Sequence, residues 1–214
     1  MKIKAVAFDM DGLIFDTEDL YMKAAITLLA RRDKVYTQEH DKAVLGRPPS
    51  TVYKVIKETF GLSETWQELQ SECESLFLGL LDEGYATMPG LYELLEYLEQ
   101  RNIPKGICTS SALHVATEVL GRKDMAKRFD FVLTSDDVIN GKPDPEIYQK
   151  AAAKFGIASS EMLVLEDSPA GCQAANTAGA FAVAVRVKHN AHFAFPDAKT
   201  IVPVLNAPEV LALF

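Results

Sequence analysis

The chain has 214 residues, 48% of them hydrophobic and 24% charged, and a formal net charge of −8 at pH 7. That balance suits one α/β domain with a modest insertion and excludes a disordered chain. The acidic surplus argues against a broad nucleic-acid footprint, which needs clustered Lys and Arg.

The first element is a short apolar run, Ile3–Phe8, inside an opening MKIKAVAFDMDG that reads as neither a signal peptide nor a membrane span. From about Thr17 to Ala86 no strand pattern follows, only helical periodicity. Val52, Val55, Ile56 and Phe60 form one stripe closed by Gly61; Trp66, Leu69, Cys73, Leu76, Phe77 and Leu80 form another, introduced by Ser63. Roughly seventy residues far exceed an ordinary crossover, so 17–86 is expected to be an inserted helical subdomain within a core of 1–16 and 87–214. Leu91, Leu94, Leu95 and Leu98 then keep helical spacing, with Pro104 as a stop signal. The runs Gly106–Thr109, Phe131–Thr134, Met162–Leu165 and Phe181–Val187 lack alternation, which suits strands buried on both faces. Strands alternating with helices predict a Rossmann-like parallel sheet covered by helices.

Chemistry-bearing residues gather where these strands end. Asp9 and Asp11 lie two apart on an extended chain and are expected side by side, with Gly12 allowing a tight turn. Adjacent carboxylates resist joint ionisation unless a cation lies between them, and an all-oxygen set suits magnesium. Thr109, Ser110 and Ser111 end the second apolar run, at the entry to a helix where backbone N–H groups can hold phosphate, although helix capping uses the same residues. Lys142 sits in the stiff string Gly141-Lys142-Pro143-Asp144-Pro145, and Glu166 and Asp167 end a further run before Ser168-Pro169.

The run Asp9-Met10-Asp11-Gly12-Leu13-Ile14-Phe15-Asp16-Thr17 resembles the opening motif of haloacid dehalogenase (HAD) phosphotransferases, and the three later motifs follow in order. The resemblance implies a magnesium-dependent phosphatase acting on a small phosphomonoester, a sugar phosphate or nucleoside monophosphate. Asp9 would be the nucleophile that becomes an aspartyl-phosphate, and Asp11 the general acid and base. Thr109 and Lys142 would complete the catalytic set, with Ser110 and Ser111 at the substrate. Asp9, Asp11 and Asp167 would hold the metal, together with Glu166, directly or through water.

The insertion lies where the β-phosphoglucomutase-like and pseudouridine-5′-phosphatase-like branch carries its α-helical C1 cap. Leu45-Gly46-Arg47-Pro48-Pro49-Ser50 matches that cap's substrate-specificity loop. Arg47 suits a leaving-group contact and equally a solvent-exposed residue at a helix start. Tyr21 stands where the mutases have a His, and it is counted with the substrate-binding residues. The alternative is a β-phosphoglucomutase-type phosphotransferase. Against it, the Arg that mutase caps use falls here at Pro49, and residues 58–100 contain no Lys or Arg while carrying Glu64, Glu68, Glu72 and Glu74. A dehalogenase would lack Asp11 and need no metal.

Three scattered cysteines, Cys73, Cys108 and Cys172, suit reduced thiols in a cytoplasmic protein. His189 and His192, lacking a carboxylate or Cys spaced to join them, read as solvated surface; His40 and His114 show no partners, and Phe193 and Phe195 read as core. The expected partner is a small phosphorylated metabolite, without nucleic acid or membrane; the oligomeric state is not visible in the sequence, and a monomer is a common state among capped members of the family it resembles.

Overall fold

A computed structural model describes residues 2–44 and 47–214. It divides into two compact units, Met1–Asp16 with Ala86–Phe214, and Thr17–Tyr85.

The first unit is built on a parallel sheet. Its strands are β1 (Ala5–Phe8), β2 (Lys105–Cys108), β3 (Phe131–Leu133), β4 (Met162–Glu166), β5 (Phe181–Val185) and β6 (Thr200–Val202), in the order β3-β2-β1-β4-β5-β6. Every residue of β1, β2 and β4 is buried, as expected of strands covered on both faces. β6 escapes sequence reading because it is three residues long, with Ile201 half-exposed and Pro203 interrupting the apolar run at its end. The strand expected to reach Val187 stops at Val185.

Register sets the site. Phe8 pairs with Ile107 on one side and Leu165 on the other, so Asp9 emerges level with Cys108 and Glu166. The Asp9 N–H continues the ladder to the Leu165 carbonyl at 3.0 Å. Functional side chains therefore collect at the carboxyl end of the central strand, where open α/β sheets bind ligands.

In the second unit the helices are α1 (Glu18–Ala30), α2 (Gln38–Val44), α3 (Pro49–Phe60) and α4 (Trp66–Leu80). α1 packs Leu20, Ala24, Leu28 and Leu29 toward α4, which buries Leu69, Cys73 and Phe77. α3 buries Tyr53 and Ile56, whereas Val52, Val55 and Phe60 of the expected stripe remain half-buried. α4 is capped by Thr65 rather than Ser63. The Thr65 hydroxyl accepts from the Glu68 N–H, and the Glu68 carboxylate accepts from the Thr65 N–H at 2.7 Å. Returning to the first unit, the remaining helices are α5 (Leu91–Gln100), α6 (Leu113–Arg122), α7 (Glu146–Phe155), α8 (Pro169–Thr177) and α9 (Pro208–Leu211). Leu91, Leu94, Leu95 and Leu98 are wholly buried. Among the described residues no helix is long and apolar enough to cross a membrane.

Candidate active site

Asp9 and Asp11 follow β1 and meet different partners. After Asp9 the backbone turns, with the Met10 carbonyl accepting from the Ile14 and Phe15 N–H groups and Gly12 at φ +75°. The Asp11 carboxylate accepts from the Ser111 hydroxyl at 2.7 Å, whereas Asp9 faces Lys142. Each of the two carboxylates is thus held by its own partner, Asp9 by Lys142 and Asp11 by Ser111.

Lys142 is buried, and its ammonium donates to three acceptors: the Asp9 carboxylate, Glu166 Oε1 at 2.7 Å and the Cys108 carbonyl at 2.8 Å. The Tyr148 hydroxyl donates to the same Glu166 oxygen at 2.6 Å, and Ser168 donates to the other from both its N–H and its hydroxyl. Glu166 is wholly buried under Gly171, whose added Cβ would fall 1.8 Å from Oε1. It is the most constrained carboxylate of the site.

Carboxylate oxygens of Asp9, Glu166 and Asp167 all lie within 4.8 Å of one another. Burial is the first cause that holds the Asp9 carboxyl well above the usual range; Glu166 and Asp167 add to it and Lys142 opposes. Asp167 is raised by burial and then by Glu166, with Lys142 opposing and Asp11 adding. Lys142 is raised overall, because Asp9 and Glu166 outweigh the effect of burial. Fully ionised, the carboxylates of Asp9, Asp11, Glu166 and Asp167 would outnumber the one ammonium, an imbalance that burial of three of them makes costly. An all-oxygen, negatively charged, buried set fits a hard divalent cation such as magnesium.

Thr109 is buried at the end of β2, and its hydroxyl oxygen accepts from the Ser111 N–H at 3.0 Å. That N–H serves a local turn. α6 begins only at Leu113, whose own N–H donates to Asp136 at 3.0 Å. Ser110 is half-buried beside them. Of the helical-unit residues, Arg47 is exposed, and the Tyr21 ring stacks on Phe77 with centroids 3.9 Å apart. Leu45 and Gly46 of the expected specificity loop lie outside the described residues. The acidic helix is not the bare repulsive face that its sequence suggests. Arg32 holds Glu64 and Glu72 at 2.7 and 2.6 Å, Arg31 holds Glu72 at 2.8 Å, Glu68 closes the capping box, and Gln70 donates to Glu74.

Sequence reasoning missed His189. Expected at the solvated surface, it places Nε2 2.7 Å from Asp167 Oδ2, with only 16% of its side chain exposed. Asn190, wholly buried, locks the same loop: its amide donates to the carbonyls of Asp167 at 2.8 Å and Val185 at 2.9 Å, and its oxygen accepts from the Val187 N–H. A spacing of 22 residues carries no periodic signal, so only the chain's path after β5 reveals the pair. His192 is exposed against Phe193, and His40 Nδ1 accepts from the Thr37 N–H. Phe195 is buried with Cys172 and Ala184, and Phe193 packs on the same cluster.

The sequence model of haloacid dehalogenase-like hydrolases matches residues 6–185. A phosphorylated carbohydrates phosphatase of Thermotoga maritima is 33% identical over 181 residues, covering 83% of this chain and 82% of that protein. A protein of Drosophila melanogaster named as a probable pseudouridine-5′-phosphatase is 34% identical over 184 residues, covering 83% of this chain and 79% of its own. Among solved structures, a β-phosphoglucomutase of Clostridium difficile superimposes with a TM-score of 0.81 at 25% identity, covering 95% of this chain and 92% of that one.

Proposed function

The chain belongs to the haloacid dehalogenase-like hydrolases and is a phosphoric monoester hydrolase, and on that premise we propose a magnesium-dependent phosphatase working through an aspartyl-phosphate. The observation that carries this reading is the buried trio of Asp9, Glu166 and Asp167 with Lys142 seated on Asp9. Its substrate is a small phosphorylated metabolite of the sugar phosphate or nucleoside monophosphate class.

Lys142 fixes one Asp9 oxygen, leaving the other to attack phosphorus. Asp11, oriented by the Ser111 hydroxyl, gives its proton to the departing alcohol oxygen. As a carboxylate it then takes a proton from the water that attacks the aspartyl-phosphate, so inorganic phosphate leaves and Asp9 is restored. Ser111 therefore acts through Asp11. The Thr109 hydroxyl, already an acceptor for the Ser111 N–H, has its proton to offer a phosphoryl oxygen. Glu166, held by Lys142, Tyr148 and Ser168, orients the lysine and lies beside the metal position. Asp9 and Asp167 would hold magnesium, which when bound offsets the charge of the phosphoryl oxygens. Unit Thr17–Tyr85 would serve as the helical cap, with Arg47 and Tyr21 as its candidate substrate contacts.

Release of inorganic phosphate from a panel of sugar and nucleoside phosphates, with magnesium and with EDTA, tests the reading. Magnesium-dependent release is expected. Full activity in EDTA after extensive dialysis would sink the metal assignment. Isomerisation of β-glucose 1-phosphate, primed by a trace of glucose 1,6-bisphosphate and releasing little phosphate, would favour the mutase instead.

A further inference from the structure

We infer that His189 is a positioning residue, which fixes the Asp167 carboxylate for the cation. The inference rests on the metal-dependent reading above and adds a residue to it. A carboxylate that binds a metal through one oxygen can still rotate and switch between coordination modes. A hydrogen bond to its other oxygen removes that freedom before the cation arrives. His189 supplies such a bond from its ring nitrogen to Asp167 Oδ2.

The contact is built rather than incidental. The Asn190 amide ties the next residue to the Asp167 carbonyl itself, so side chain and backbone of Asp167 are gripped by consecutive residues of one loop. Beyond Asn190 the loop is anchored by its carbonyl, which accepts from the Phe193 N–H at 2.9 Å, and by Phe195 buried against Cys172 and Ala184. On the opposite side Gly12 leaves the space required. A Cβ there would lie 2.4 Å from Asp167 Oδ2 and 2.9 Å from His189 Nε2. Both the positive φ of Gly12 and this clearance favour glycine, so the turn after Asp9 accommodates the His189–Asp167 pair. Nε2 is the ring nitrogen that faces the carboxylate, and an imidazole holding its proton there would donate to Asp167 Oδ2.

The test is magnesium binding to EDTA-stripped full-length protein, measured by titration calorimetry for wild type, His189→Ala and His189→Gln. His189→Ala is expected to weaken magnesium binding about 10- to 100-fold, the usual loss on removing such an outer partner. His189→Gln, whose amide can donate from a similar place, should recover most of it. At saturating magnesium the kcat of His189→Ala should approach wild type, with the loss confined to the magnesium concentration giving half-maximal rate. Binding by His189→Ala as tight as wild type, or tighter, would overturn the role of His189 while leaving the metal reading intact. Wild type giving the same heat trace as Asp167→Asn, with no magnesium binding in either, would overturn the metal reading and the inference together.

Discussion

Two clusters of paired charges, one in each unit, look alike in their contacts and differ in physics. In the helical unit, Arg31 and Arg32 face Glu64 and Glu72, two cations for two carboxylates, at a surface where water screens them. In the core unit, Lys142 alone faces Asp9 and Glu166, with Asp167 and Asp11 close by, and all but Asp11 are buried. The titration directions record the difference. Hydrogen bonding to Arg32 leads in holding Glu72 below the ordinary carboxylate range, while burial leads in holding Asp9 and Asp167 well above it. A balanced exposed cluster stabilises its unit slightly. An unbalanced buried one costs stability, and it is the kind of arrangement expected where chemistry takes place.

The largest effect should come from the core cluster's reacting groups. Asp9→Asn is expected to abolish phosphate release in a folded protein, since an amide is a poor nucleophile. Asp11→Asn should lower kcat by about 10²–10⁴-fold, the usual worth of general acid–base catalysis. Steady-state kinetics and circular dichroism on purified variants check both. Substantial turnover by Asp9→Asn would remove the covalent route.

The next test concerns packing around Glu166. Gly171→Ala would push a methyl group into a carboxylate whose two oxygens are already held by Lys142, Tyr148 and Ser168, so nothing nearby can yield cheaply. Overpacking of this kind costs about 1–3 kcal/mol, or a melting point several degrees lower at this chain length. The equivalent change at Gly79 of α4, where an added Cβ meets nothing, should leave the melting point unchanged or raise it. Equal responses at the two glycines would show that the clusters do not differ in rigidity.

Much of this arrangement was legible in the chain. Five apolar runs located β1 to β5, and the run ending at Phe8 placed Asp9 at the carboxyl end of a central strand. Local pattern was less informative where tertiary context decides. Nothing in the run Asp9–Gly12 signals that Asp11 takes the Ser111 hydroxyl, a hundred residues away in sequence. Thr65 outcompetes Ser63 as the cap because Glu68 stands at the third position after it. His189 meets Asp167 only through the loop beyond β5, and the acidity of α4 is answered by arginines from the end of α1. Contacts between distant segments leave no spacing to read.

A smaller effect follows from the sign of the Asp167 shift. A carboxyl whose folded pKa is raised contributes most below its unfolded pKa and loses that contribution as pH rises through the folded value. At neutral pH the raised pKa is therefore a cost to the metal-free protein. Asp167→Asn should raise the metal-free melting point at neutral pH, narrow the gain seen on mild acidification, and abolish the rise on adding magnesium. A lower metal-free melting point at neutral pH would mean that the His189 and Asn190 contacts outweigh the charge.

The smallest effect belongs to the helical unit, and its pH dependence should run the other way. Glu72 has its pKa lowered, so its contribution is present above the unfolded carboxyl range and is lost as pH falls through the folded value. Glu72→Gln should therefore lower the melting point most at neutral pH, with the gap to wild type closing on acidification and shrinking in high salt. Arg32→Met keeps the apolar stem and removes both ion pairs, for a loss of about 1 kcal/mol or less, as befits partly exposed pairs. Neither change touches a reacting group, so kcat should stay at the wild-type value in both. If Arg32→Met instead lowered kcat while sparing the melting point, the balanced cluster would have a part in turnover, and the contrast between the two regions would have to be redrawn around Arg32.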